Sequence, residues 1–257
     1  MNLLILTADD RLEKDRYRVA DHRAKHIRSV LKLAPGDRLE VGLLNGPLGT
    51  AVVESTSPDG VTIHTENLTT PVELFPVIDL ICALPRPQTL KKVLSISAMM
   101  GVRRIFLVRA NRVEKSYFQS PLLHPANYQR RLIDGLSQGK LTRLPDLSIH
   151  DRFRTFFEDT LPAAVAAEEQ SDRVGPIMLL PDQAASATLT DCWKSVAGSP
   201  PLIVVAIGPE GGWVPFEIEL MERLGFQRFK LGRFVLRVET AVTAVLAQLE
   251  LLCAHDS

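Results

Sequence analysis

The sequence predicts an α/β protein of two domains, and three observations carry that prediction. Beyond about residue 76, apolar runs of strand length alternate with helix-patterned segments, the pattern of helices layered on a largely parallel sheet. Two of these units pass from a strand through a glycine-bearing loop into a helix. Leu202-Ile203-Val204-Val205-Ala206-Ile207 runs into Gly208-Pro209-Glu210-Gly211-Gly212, and Leu231-Gly232-Arg233-Phe234-Val235-Leu236-Arg237 opens the last helix. The first 70 residues instead hold short strands separated by glycine turns, which suits a small barrel.

In the N-terminal part, Asp21 is a suitable N-cap for a helix from His22 to Leu33, which Pro35-Gly36 ends. Strands are expected over Asp37–Val41 and Gly49–Glu54, either side of the turn-rich Asn45–Leu48, and over Val61–His64 after Asp59-Gly60. Pro71 and Pro76 interrupt any periodicity and mark a linker near Thr69 to Pro76, giving domains of residues 1–70 and 76–257. Strands then follow at Val77–Leu84, Ile105–Val108, Ile177–Leu180, Leu202–Ile207 and Phe229–Leu231. Helices are expected at Thr89–Met100, Pro125–Ser137, Pro215–Leu224 and Val238–Cys253. Glu158 to Gly175, rich in alanine and acids, receives no assignment. The last helix carries only Glu239 and Glu250 as charges, so nearly all its faces must be covered by a core or a partner.

Formal net charge is zero, but its distribution is uneven. Arg86 to Arg154 contains 14 lysines and arginines against four acids, whereas Thr155 to Glu222 contains two against eleven. Such a basic segment can attract phosphates, or it can simply be a solvated face. Cys82, Cys192 and Cys253 are scattered without CxxC spacing, as in a reducing compartment. Met1–Leu6 lacks the charged start and long apolar region of an export signal. No apolar run approaches the roughly 20 residues of a membrane span. The expectation is a cytoplasmic protein without membrane contact.

Glycines in the two loops let backbone N–H and C=O groups approach a ligand closely, at the strand edge where open α/β sheets bind ligands. Neither GxGxxG nor GxxxxGK[ST] spacing occurs, and Glu210 would repel a polyphosphate, so a cationic or neutral small cofactor fits better. His22 and His26 are four apart, as helical zinc ligands are. HExxH is absent and no third ligand is evident, so no metal is expected and simple exposure is one alternative.

The two loops resemble the signature loops of the SPOUT methyltransferases, and specifically of the ribosomal RNA small subunit methyltransferase E family. Arg112-Val113-Glu114-Lys115-Ser116-Tyr117 is similar to a family segment after a central strand. His26-Ile27-Arg28-Ser29-Val30-Leu31 with Gly36-Asp37 is similar to the family's N-terminal RNA-binding domain. The resemblance spans nearly the whole chain and implies a C-terminal SPOUT-type α/β knot (trefoil knot) domain after a small N-terminal PUA-like β-barrel. It further implies S-adenosyl-L-methionine as cofactor, N3 of a uridine in 16S ribosomal RNA of the small subunit as target, and a homodimer. The chain departs from the family in two places. Many members carry Gln-Lys-Ala-Thr-Glu-Leu-Gly where it reads Ser95-Ile96-Ser97-Ala98-Met99-Met100-Gly101, and Glu-Gln-Ser-Gly-Arg where it reads Ser137-Gln138-Gly139-Lys140-Leu141. The lost carboxylates bear on the target-nucleotide pocket, so a different RNA target, or a silent RNA-binding or assembly protein, stays an alternative.

Carried over residue by residue, the resemblance implies a cofactor site at Ile207, Gly208, Gly211, Gly212, Leu231, Gly232, Leu236, Glu239, Thr240 and Ala241, completed by a third loop at Leu180-Pro181-Asp182. Glu210 would accept a hydrogen bond from the cofactor or balance its sulfonium; capping the helix after Trp213 is its other reading. Arg237 is the first catalytic candidate, because a guanidinium stabilises charge developing on uracil carbonyl oxygens. Its other reading is an ion pair with Glu239 or Glu210. Glu239-Thr240 also reads as a helix-capping pair. Candidate RNA contacts are His22, Arg23, His26 and Arg28 on the basic helix, and Arg112 and Lys115. Tyr117 offers an aromatic face for a looped-out base or packs in the core.

Overall fold

The computed structural model describes residues 2–74, 76–166, 175–194 and 202–255. The chain divides into two compact units, Met1–Glu73 with Leu132–Leu144, and Leu74–Arg131 with Pro145–Ser257.

The first unit is a mixed six-stranded sheet in the order β1-β4-β5-β6-β3-β2. Its strands are β1 (Leu4–Leu6), β2 (Arg11–Glu13), β3 (Arg16–Val19), β4 (Arg38–Leu43), β5 (Leu48–Ser57) and β6 (Gly60–Thr70). β1 runs parallel to β4 with Leu4 opposite Val41; the other pairs are antiparallel. Alternate residues point inward, so Leu4, Leu6, Tyr17, Val19, Val41, Ala51, Val53, Val61 and Ile63 meet in one core with Ala24 and Ile27 of the basic helix. β1 to β3 precede that helix and went unread in the sequence, because each is only three or four residues long. The helix is also shorter than expected. α1 (His22–His26) begins at Asp21, whose carboxylate accepts from Arg23 N–H, then widens into a π-helical turn at Ile27–Leu31 and stops where Lys32 turns left-handed at φ 55°.

The second unit is a parallel six-stranded sheet in the order β12-β10-β11-β7-β8-β9. Along the chain it comprises β7 (Ile78–Ala83), α2 (Pro87–Met99), β8 (Arg104–Val108), α3 (Pro125–Gly139, whose second half belongs to the first unit), β9 (Asp146–His150), α4 (Phe153–Thr155), α5 (Leu161–Ala166), β10 (Ile177–Pro181), α6 (Leu189–Trp193), β11 (Ile203–Ile207), α7 (Pro215–Arg223), β12 (Gln227–Phe229) and α8 (Val238–His255). β7 and β11 are the middle strands and are buried throughout, as apolar runs of a doubly covered sheet must be. β9 and α4 to α6 were not anticipated. The segment left unassigned is helical up to Ala166, and its residues 167–174 lie outside the described residues. α8 packs on α2; Val238, Val242, Val245 and Leu249 are buried, while Leu251 is exposed. Among the described residues no helix is long and apolar enough to cross a membrane.

One polar element lies inside this sheet. Asp79 in β7 is 1% exposed at its side chain, and both its oxygens are used by Arg103 (2.8 and 3.0 Å) and Arg104 (2.6 and 2.9 Å). Two cations of the basic segment are thereby spent on the fold. Removing one member of a buried pair strands the other charge and costs about 3–5 kcal/mol. Asp79→Ala is therefore expected to lose about that much unfolding free energy in urea titration.

Candidate functional site

The loops that leave the carboxyl ends of β10, β11 and β12 converge on one cleft of about 520 Å³, within the range of small-ligand sites. Ile207, Gly208, Glu210, Gly212, Leu231, Leu236, Arg237 and Ala241 line it, with Pro181, Asp182 and Gln183 from the loop after β10. Of the other expected cofactor residues, Leu180 is buried inside β10, and Gly211, Gly232, Glu239 and Thr240 stand outside the lining.

The geometry of the first loop follows from its sequence. Gly212 N–H donates to Pro209 C=O (2.8 Å), closing a turn that leaves Gly212 at φ +72°, a conformation suited to glycine. At Gly208 a Cβ would lie 3.0 Å from Trp213 Nε1, so the indole can rest on bare backbone. Trp213 is itself buried beside Phe153, with ring centroids 5.9 Å apart. The N-terminus of α7 is capped by Glu217 and not by Glu210. Glu217, almost fully buried, accepts from Val214 N–H at 2.9 Å and from Asn111 N–H at 2.6 Å. That second bond ties the loop after β8 to the loop after β11. The second signature loop is held from two sides, by Gln183 Nε2 donating to Phe234 C=O (2.8 Å) and Gln248 Nε2 donating to Leu231 C=O (3.2 Å).

The ion pairs weighed for Arg237 are made by other cations. Glu210 accepts from Arg86 Nε at 3.3 Å, and Glu239 accepts from Lys92 Nζ at 2.9 Å. Among the described residues no ion pair engages the exposed Arg237 guanidinium. The Lys92 hydrogen bond, aided by Glu239's own backbone, holds the Glu239 carboxyl below its ordinary value; the charges of Lys92 and Arg237 act the same way. Arg112 lies along the first loop, donating to Gly211 C=O, with its stem 3.1 Å from where a Gly211 Cβ would be. Lys115 is exposed. Tyr117 is half-buried, and its hydroxyl donates to Glu114 (3.2 Å). Burial raises its pKa first, followed by the charge of Glu114 and the hydrogen bond to it, then the charge of Glu210, while Arg86 opposes the shift, so this ring sits near the Arg86–Glu210 pair.

In the first unit, His22, Arg23, Lys25, His26 and Ser29 line a second cleft, of about 480 Å³, together with Gln138. Arg23 is committed to the fold, bonded to Asp10 at 2.6 and 2.8 Å, to Asp21 and to Ile5 C=O. Arg28 donates to Ser57 C=O. His22 lies 3.9 Å from Asp134, and burial, ahead of nearby positive charge including His22, keeps His26 below its usual pKa. Of the family departures, Ser137 donates to Leu3 C=O (2.6 Å), and Ser97 is fully buried in α2.

The RNA methyltransferase domain family matches residues 73–250, and the RNA methyltransferase PUA domain matches residues 19–66. The ribosomal RNA small subunit methyltransferase E of Treponema pallidum is 32% identical over 228 residues, spanning 88% of this chain and 82% of that protein. The chain belongs to the ribosomal RNA small subunit methyltransferase E family. Another relative, ribosomal RNA small subunit methyltransferase E 1 of Borreliella burgdorferi, is 23% identical with 95% of each chain covered. The fold is shared with the crystal structure of the Neisseria gonorrhoeae ribosomal RNA small subunit methyltransferase E bound to S-adenosylmethionine, at a TM-score of 0.75, 21% identity and 98% coverage of both chains.

In this methyltransferase E family member, sequence reasoning missed Arg86, Gln183, Trp213, Glu217 and Gln248. None sits in a glycine motif, and three of them act through main-chain contacts that no side-chain pattern announces.

Two outcomes follow from these contacts. Glu217→Ala leaves two N–H groups without their charged acceptor and is expected to lower stability by about 3 kcal/mol, read by chemical denaturation. The Lys92–Glu239 tie has a depressed carboxyl pKa, so its contribution is complete above the ordinary value of 4.5 and is lost as pH falls through the lower native value. The difference in Tm between wild type and Glu239→Gln is expected to be constant near neutral pH and to shrink below about pH 4.5.

Proposed function

We propose that the chain transfers a methyl group from S-adenosyl-L-methionine to N3 of a uridine in 16S ribosomal RNA of the small subunit. The observation that supports this most is the cleft where three loops meet, walled largely by backbone and apolar side chains, in a chain of this family. Its residues fit such a cofactor. Gly208 and Gly212 place main chain on its wall, Ile207, Leu231, Leu236 and Ala241 supply apolar contact, and Glu210 adds a carboxylate that it shares with Arg86. S-adenosylmethionine, when bound, supplies an electrophilic methyl on a sulfonium.

The protein's task is then to orient and desolvate the target base and to stabilise the charge that appears when uracil N3 gives up its proton. Positioning of this kind can contribute roughly 7–11 kcal/mol. A bound S-adenosylmethionine would supply the methyl group to that nitrogen, and the N3 proton would pass to solvent water. Arg237, on the cleft wall without an ion pair among the described residues, is the group assigned to the developing charge on the uracil carbonyl oxygens. Lys115 and Tyr117 are assigned to the incoming RNA, and the exposed faces of His22, Lys25 and His26 to its backbone. Arg23 is left out because its guanidinium is consumed by Asp10. The trefoil knot, the homodimer and the cytoplasmic setting implied by the resemblance complete this reading.

Arg237→Ala is expected to lower kcat by about 10²-fold, the loss typical of one oxyanion-stabilising donor. Its affinity for S-adenosylmethionine in calorimetry should stay within about twofold, since the side chain serves the base and not the cofactor. A wild-type protein that binds RNA but no S-adenosylmethionine would contradict the proposal.

A further inference from the structure

We propose that Arg86 is an RNA-phosphate contact of this site, taking a phosphate of the strand that carries the target nucleotide, and that Glu210 is the residue that positions it. The inference rests on the methyl-transfer reading and adds to it a substrate contact that neither signature loop contains.

Arg86 follows β7, one of the two middle strands of the sheet, so it starts from the carboxyl edge on which the cleft is built. Its backbone is held between Pro85 and Pro87. The following proline confines it to extended geometry, observed at φ −53° and ψ 149°, and its C=O accepts the first bond of α2 from Leu90 N–H at 2.9 Å. The guanidinium therefore projects from a fixed base and not from a mobile loop.

The side chain lines the same cleft as Ile207, Gly208 and Arg237, and it is 60% exposed. Glu210 engages it through Nε alone, at 3.3 Å. Both Nη groups, with four N–H donors, are left without a protein acceptor among the described residues. A guanidinium anchored on one edge and open on the other is suited to a phosphate, which takes two parallel N–H···O bonds from such a fork. The exposure argues for the RNA and against the cofactor, whose proposed contacts include the buried Ile207. Tyr117 lies within reach of the charges of both Arg86 and Glu210.

The test is steady-state methylation of small ribosomal subunits lacking their modifications, at several salt concentrations, with Arg86→Ala, Arg86→Lys and Glu210→Gln compared with wild type. Arg86→Ala is expected to raise KM for the subunit about tenfold, with kcat and S-adenosylmethionine affinity within about threefold. It should also flatten the dependence of log KM on log salt by about 0.7–0.9, the share of one phosphate contact. Arg86→Lys should restore the salt slope but only part of the KM, because an ammonium cannot make the bidentate contact. Glu210→Gln should keep the slope while raising KM less than Arg86→Ala does, since Arg86 keeps its charge and loses only the ionic part of its anchor. Wild-type KM and slope in Arg86→Ala would overturn the proposal. So would a tenfold loss of S-adenosylmethionine affinity with unchanged KM for the subunit, which would assign Arg86 to the cofactor. If the wild type transfers no methyl, the reaction reading fails, while the same salt slope measured as RNA binding still decides the role of Arg86.

Discussion

The cleft depends on a buried carboxylate that touches no ligand. Glu217 places one oxygen on Val214 N–H and the other on Asn111 N–H, so a single side chain caps α7 and fastens the loop after β8 to the loop after β11. A carboxylate removed from water is tolerated only when its lone pairs are met by donors of this kind. With those donors fixed, Arg112 can lie along Gly211 and the Pro209–Gly212 turn has a defined wall behind it. Gln183 and Gln248 give the second signature loop the same treatment through its carbonyls. A ligand meeting these loops does not have to order them, which is the physical content of preorganisation.

Charge is arranged on the same principle of anchoring. The basic segment from Arg86 to Arg154 looked in sequence like a phosphate-attracting surface, but its cations have divided duties. Arg103 and Arg104 neutralise Asp79 in the sheet, Lys92 braces the first turn of α8 through Glu239, and Arg112 supports a glycine carbonyl. Arg86 and Arg237 are the guanidiniums left at the cleft. A raw count of positive residues therefore overstates the charge offered to RNA. What matters is which cations are held at the cleft with donors still open.

Much of the fold was legible because its signals are local. The middle strand β11 is an unbroken apolar run and β7 is broken only by Asp79, α7 and α8 carry helical patterning, and the glycine loops lie where a strand pattern ends. The elements that escaped are those without a local signal. β1 to β3 are too short for alternation to register, β9 has only partly buried faces, and the helical stretch from Phe153 to Ala166 is interrupted by a π-turn. Of the two glycine loops, Ile207, Gly208, Glu210, Gly212, Leu231 and Leu236 line the cleft and Gly211 and Gly232 do not, whereas Arg86 and Glu217 were not readable, since each acts on a residue more than 100 positions away. The basic helix shows the converse error. Arg23 has the spacing of a surface cation, yet Asp10, invisible to helical periodicity, draws it inward.

The reaction proposed at the cleft where the three loops meet is methyl transfer to a uracil ring nitrogen. It is tested most directly by incubating the protein with labelled S-adenosylmethionine and unmodified small ribosomal subunits, then digesting the RNA and identifying the labelled nucleoside by mass spectrometry. The account predicts label in 3-methyluridine from 16S ribosomal RNA, lost with Arg237→Ala. Label in any other nucleoside, or none despite bound cofactor, would contradict it.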